Sequence, residues 1–190
     1  VREQLDADPT LVHDLHETLR TLLPCMPYCS IWFADDQIRE QATLAGNIVN
    51  ASPAADGTPP ILAMNGEIDV ARLEGGDIVR RTVAVGDFVK GPGATDLQPG
   101  EIVTAGTCDT LEGYGGSFQK VGQRRSLVIS SVCAVACVKL NEADGTVADI
   151  RLALGGISPV PLRLSKLEQM LTGKRLTREM IKEAARLPAD

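Results

Sequence analysis

Residues 127–140, Leu-Val-Ile-Ser-Ser-Val-Cys-Ala-Val-Ala-Cys-Val-Lys-Leu, constrain the fold more than any other stretch of this 190-residue chain. A run so apolar and β-branched, broken only by Ser130, Ser131 and Lys139, reads as a strand buried on both faces of a sheet. Its neighbours fit that reading. Asn141 to Gly145 is turn chemistry, and Thr146 to Leu154 alternates so that Ala148, Ile150, Leu152 and Leu154 share a face predicted to be core. Ser117 to Val121 is a further short strand. Two helices are predicted to close the chain: Ser165 with Glu168 has the pattern of a capping box, and Thr177 caps a helix carrying Met180, Ile181, Ala184 and Leu187. This order predicts an α+β unit, an antiparallel sheet with helices on one side.

The N-terminal half is less regular. Asp8-Pro9 is an N-cap followed by proline, and Val12, Leu15, Leu19 and Leu22 recur at helical spacing until Pro24, with His13 and His16 on the solvated side. Residues 38–60 are dense in small residues and turn formers and read as loop. Glu67 to Leu73 and Ile78 to Val85 are strands around Glu74-Gly75-Gly76-Asp77, which is hairpin chemistry. Turns follow at Gly91-Pro92-Gly93 and Gln98-Pro99-Gly100, with a strand from Glu101 to Ala105. Glu101 and Asp109 read as a solvated charge set. Gly113-Tyr114-Gly115-Gly116 reads as a hinge, dividing the chain into residues 1–112 and 113–190.

Composition closes several functional routes. Nineteen Lys and Arg against 25 Asp and Glu leave a formal charge of −6, and there are six aromatics. That surface lacks the basic footprint and stacking platforms that nucleic acid requires. Two histidines leave little imidazole for acid–base or metal chemistry. No window holds 18 uninterrupted apolar residues, so membrane insertion is not expected. The charged start, Val1-Arg2-Glu3-Gln4-Leu5-Asp6, has no apolar signal-peptide core. Five cysteines at irregular spacing, Cys133 and Cys137 among them as small buried hydrophobes, predict a reduced, cytoplasmic protein with no metal site.

The informative segment runs from Thr43 to Asp56. Gly46 permits a sharp turn or a close ligand approach, while Thr43, Asn47 and Ser52 offer short hydrogen-bonding groups beside backbone amides, a set suited to an anionic or nucleotide-like ligand. An ordinary surface loop has the same ingredients. Gln37-Ile38-Arg39, Thr43-Leu44-Ala45-Gly46-Asn47-Ile48 and Asn50-Ala51-Ser52-Pro53-Ala54-Ala55-Asp56 together strongly resemble the FAD-binding medium subunit of molybdenum hydroxylases, the xanthine dehydrogenase and carbon monoxide dehydrogenase flavoprotein family. Asp87-Phe88, Gly91-Pro92, Thr95, Leu97 to Ile102, Ser117-Phe118-Gln119-Lys120, Arg124-Arg125 and Ile150 to Pro161 continue the resemblance in order.

The resemblance implies the C-terminal part of a PCMH-type FAD-binding domain, its second lobe, followed by a C-terminal domain like that of the CO dehydrogenase flavoprotein. It implies FAD contacts at Phe33, at Thr43, Leu44, Ala45, Gly46 and Asn47 around the pyrophosphate and ribitol, at Ser52 and Asp56 in the next turn, at Ile102 and Val103 on a strand against the cofactor, and at Lys120. The implied activity is oxidoreductase electron transfer. A molybdenum-cofactor large subunit hydroxylates the substrate, [2Fe-2S] centres on a small subunit relay electrons, and FAD here passes them to NAD+, a quinone or O2. No side chain is expected to act as a catalytic acid or base. Two departures stand out: Ala45 occupies a position that is usually glycine, and the family's Gly-Gly-Thr-Asp-type phosphate loop is absent. The second motivates an alternative, a flavin-free structural or subunit-docking module of the same type of complex.

Overall fold

The computed structural model describes residues 17–124 and 128–187. The predicted helix start at Asp8-Pro9, both histidines and Leu127 lie outside them, and residues 17–22 are helical. Four short helices follow: α1 (Met26–Trp32), α2 (Asp36–Gln41), α3 (Leu44–Val49) and α4 (Thr58–Ala63). Three of them occupy the stretch predicted as loop, and local chemistry explains why. The Asp35 carboxylate accepts the Ile38 amide at 2.9 Å, the Thr43 hydroxyl accepts the Gly46 amide at 2.9 Å, and Pro59-Pro60 stand in the first turn of α4. Each device suits a helix start, and the helices are too short to show an apolar period.

A three-stranded antiparallel sheet comes next, in the order β2-β1-β5. Strands β1 (Glu67–Glu74) and β2 (Asp77–Ala84) pair with Leu73 opposite Ile78, across a turn in which Gly75 and Gly76 take φ of 60° and 96°. Two successive positive φ values are what a two-residue hairpin of this type demands. A one-turn helix α5 (Val85–Phe88) buries Val85 and Phe88, and a small hairpin joins β3 (Val89–Gly91) to β4 (Ala94–Thr95). Strand β5 (Ile102–Thr107) then returns along β1.

The second sheet is β6 (Gly115–Val121), β7 (Val132–Leu140), β8 (Val147–Gly155) and β9 (Leu162–Arg163), antiparallel throughout and paired in that order. Gly115 and Gly116, predicted as hinge, are paired residues of β6 opposite Val138 and Cys137. A bulge opposite Lys139 and Leu140 places Val147, rather than the predicted Ala148, inward beside Ile150. Bulges make such corrections because one extra residue inverts the alternation. Helices α6 (Ser165–Leu171) and α7 (Arg178–Ala184) cover the Ile150 and Leu152 side. Thr177 caps α7 as predicted, accepting the Met180 amide at 3.2 Å. Ser165 caps nothing. Leu164 is the N-cap of α6, and Glu168 instead accepts the Leu152 amide at 2.6 Å and pairs with Arg163.

The opposite face of this sheet is closed by α1 and α4. Phe118, Cys133, Val135, Cys137 and Ala153 form one core with Cys25, Ile48, Ile61, Met64, Ile68, Val70 and Phe88. Residues from both halves therefore share a single apolar interior, in keeping with the predicted α+β architecture.

Candidate functional site

Two adjoining clefts open beside α3, and Phe33 and Asn47 line both. The first, about 230 Å³, adds Met26, Ser30, Thr43, Leu44 and Gly57; the second, about 470 Å³, adds Ala34, Asn50, Ser52, Asp56, Arg124 and Ile129. Asn47 holds the floor between them: its Oδ1 accepts the Gly57 amide at 2.9 Å. Gly57 must be glycine for this, since a Cβ there would lie 2.7 Å from Asn47 Oδ1 and 2.8 Å from Leu44 Cδ1. Ala34 and Ala51 flank the clefts in left-handed backbone, at φ of 45° and 47°. Such conformations disfavour a side chain and persist where the surroundings over-determine them, often at binding sites.

Behind the second cleft lies an ion pair that sequence alone could not place. Lys120, on β6, donates to Asp56 Oδ2 at 2.7 Å and to the Val128 carbonyl at 2.9 Å, while the Ser130 hydroxyl donates to Asp56 Oδ1 at 2.5 Å. Both side chains of the pair are only 5% exposed. Removing two charges from water costs several kcal/mol each, so such a pair is sustained only when the remaining lone pairs and protons are also satisfied. Here they are. Asp56 and Lys120 are thus engaged with each other, and the pair fastens the cleft wall to the C-terminal sheet. The Cys29 thiol donates to the Asp56 carbonyl at 3.2 Å, and burial, then the Asp56 charge, pushes that thiol up to about 12.

The remaining nominated residues separate. Ala45, Leu44 and Val103 line a third cleft of about 260 Å³ against β5. Ile102, next along the same strand, points to the other face, as strand geometry requires, and is 66% exposed on the outside of the first sheet. Gly46 lies against its own cap, where a Cβ would sit 2.9 Å from Thr43 Oγ1. Glu101 is not solvated as predicted. Its side chain is 5% exposed and receives Arg81 through Nε at 2.8 Å and a terminal nitrogen at 2.6 Å. Those bonds, with the Gln98 amide, lower its pKa to about 2. Asp109 likewise accepts from Arg151 at 2.7 Å and Asn65 at 2.8 Å. Sequence reasoning also missed Ser130, Ala34 and Asn50; for Ser130 the one signal was a hydroxyl inside an apolar run.

The donor set, Thr43, Asn47 and Ser52 beside an apolar wall of Phe33, Leu44 and Ile129, suits a ligand with polar linking groups and a flat aromatic part. Residues 9–105 match the family model described as the FAD binding domain in molybdopterin dehydrogenase. The chain belongs to that family. Residues 117–190 match a second model, the CO dehydrogenase flavoprotein C-terminal domain. Similar proteins include the glyceraldehyde dehydrogenase medium chain of Sulfolobus acidocaldarius, 32% identical over 93% of this chain and 61% of that one. The nicotine 6-hydroxylase medium subunit of Paenarthrobacter nicotinovorans is 30% identical over 86% and 55% of the two chains. Among solved structures, CO dehydrogenase from Hydrogenophaga pseudoflava superposes with a TM-score of 0.77 at 26% identity, covering 88% of this chain and 56% of that one. The chain therefore spans little more than half the length of these relatives. Among the described residues no helix is long and apolar enough to cross a membrane, and no cluster of His, Cys, Asp or Glu could hold a metal.

Proposed function

We propose that this chain is the flavin-holding portion of the FAD subunit of a molybdenum-containing hydroxylase or dehydrogenase. Family membership joined to a cleft whose floor is Asn47 and whose wall is Phe33 carries this reading. Thr43, Asn47 and Ser52 offer hydrogen bonds to the polar linking groups of FAD, Leu44, Ala45 and Val103 offer apolar cover from the β5 side, and Phe33 offers a flat surface for a ring. Asp56 and Lys120 hold the cleft wall in place through their mutual pair. Bound FAD supplies the electron-transfer chemistry. The chain positions it and excludes water, and no side chain moves a proton in the step.

In this proposal the partners are a large subunit carrying the molybdenum cofactor and a small subunit carrying [2Fe-2S] clusters, and electrons leave to NAD+, a quinone or O2. The protein works in the cytoplasm, a compartment in keeping with five free cysteines. Stopped-flow absorbance of the FAD-loaded chain, reduced with dithionite and mixed with each acceptor in turn, tests the role. Rapid re-oxidation by at least one acceptor is expected. A folded chain that takes up no flavin would refute it in favour of a docking module.

A further inference from the structure

Four of the five cysteines are buried in the main core, two from the α1 region and two from β7. Their positions are unequal. Pro24 packs so closely on β6 that a Cβ on Gly116 would lie 2.5 Å from the Pro24 backbone, and Gly116 is the register partner of Cys137. The residue after Pro24 is Cys25. Cys25 and Cys137 accordingly belong to the same core, and each residue has 0% of its surface exposed. Arg151 is the cross-strand partner of Cys137 on the other side, on β8.

Cys25 and Cys137 are the pair that the Pro24–Gly116 contact brings together. Cys133 and Cys137 are four residues apart on one strand, about 13 Å, and Cys25 and Cys29 are one helical turn apart, with Cβ atoms about 5–6 Å from each other. A disulfide wants its Cβ atoms roughly 3.5–4.5 Å apart. Cys29 is tied to the Asp56 carbonyl, and Cys133 is walled by Gly155, where a Cβ would come within 2.8 Å of its sulfur.

We propose that Cys25 and Cys137 form a redox-active dithiol, which a peroxide joins into a disulfide between the α1 wall of the cleft and the C-terminal sheet. Cys137 has the cationic Arg151 as its cross-strand partner, which favours its thiolate, so Cys137 is the attacking sulfur. Its thiolate attacks one peroxide oxygen, the O–O bond breaks, and a sulfenic acid and hydroxide result. The Cys25 sulfur then attacks that of Cys137: the S–S bond forms, the S–O bond breaks, and water leaves. Two thiols lose two electrons and two protons, and hydrogen peroxide becomes two waters. Because both sulfurs are closed off, the reaction proceeds through local opening of α1.

The test uses the full reduced chain, incubated with hydrogen peroxide, then unfolded and alkylated with iodoacetamide. Three of the five cysteines are expected to alkylate, and one linked pair of tryptic peptides should appear, whose fragment ions join Cys25 to Cys137. The link should persist in the Cys29→Ser/Cys133→Ser double variant and vanish in Cys25→Ser and in Cys137→Ser. Closing a loop on the order of 100 residues should also raise the unfolding temperature by about 5–10 °C, reversibly with dithiothreitol. Five alkylated cysteines after peroxide, fragment ions joining any other pair, or an oxidised form that unfolds no higher than the reduced one would overturn the proposal.

Discussion

Asp56 and Lys120, 64 residues apart, meet in a nearly closed environment where each depends on the other. Replacing Lys120 with Met leaves a buried carboxylate facing Ser130 alone. The expected loss of stability is about 3–5 kcal/mol by urea unfolding, and the Asp56→Asn/Lys120→Met double variant should recover a measurable part of it, since the cost lies in the orphaned charge. Glu101 makes a different forecast. Its pKa is lowered in the folded chain, so its contribution is complete above the unfolded value, roughly 4.3, and is lost as pH falls through about 2. Unfolding temperature should therefore drop between pH 5 and pH 2, and the drop should be smaller in Glu101→Gln, as read by calorimetry. Asn47 joins fold and site in a single side chain. Asn47→Ala forfeits the Gly57 bond, at about 1 kcal/mol of stability, and should weaken FAD retention well beyond that cost.

At the scale of elements, Gly57 is indispensable because two helical segments of the chain meet there. Gly57→Ala should push Asn47 and Leu44 out of place, lowering FAD affinity while leaving the two sheets intact, which equilibrium titration beside far-ultraviolet circular dichroism would separate. The β1–β2 hairpin was legible because Glu-Gly-Gly-Asp is strong local chemistry between long strands, and α7 because Thr177 is a genuine cap. The three helices around the clefts were not, being six residues each at most within one small-residue stretch, too short for periodicity to declare itself. Ser165 misled because tertiary structure claimed its supposed partner: Glu168 serves Leu152 and Arg163. Likewise, Gly115 and Gly116 read as a hinge because nothing local announces that Pro24 will pack against them.

Across the whole molecule, the nominated residues that come together do so because one core joins the helical segment to both sheets. Phe33, Thr43, Asn47, Ser52 and Asp56, nominated through the family resemblance, sit within a short span and line the two adjoining clefts. The bond from Asp56 to Lys120, and the outward turn of Ile102, required the long-range pairing of strands that no local pattern encodes. In the proposed function this arrangement holds FAD. Equilibrium titration of the purified chain with FAD, followed by flavin fluorescence and the visible absorbance of the desalted product, is the decisive experiment. Saturable binding of one FAD per chain is expected, and Asn47→Ala should weaken it at least tenfold. A chain that unfolds cooperatively yet leaves FAD fluorescence unchanged and desalts colourless would contradict it.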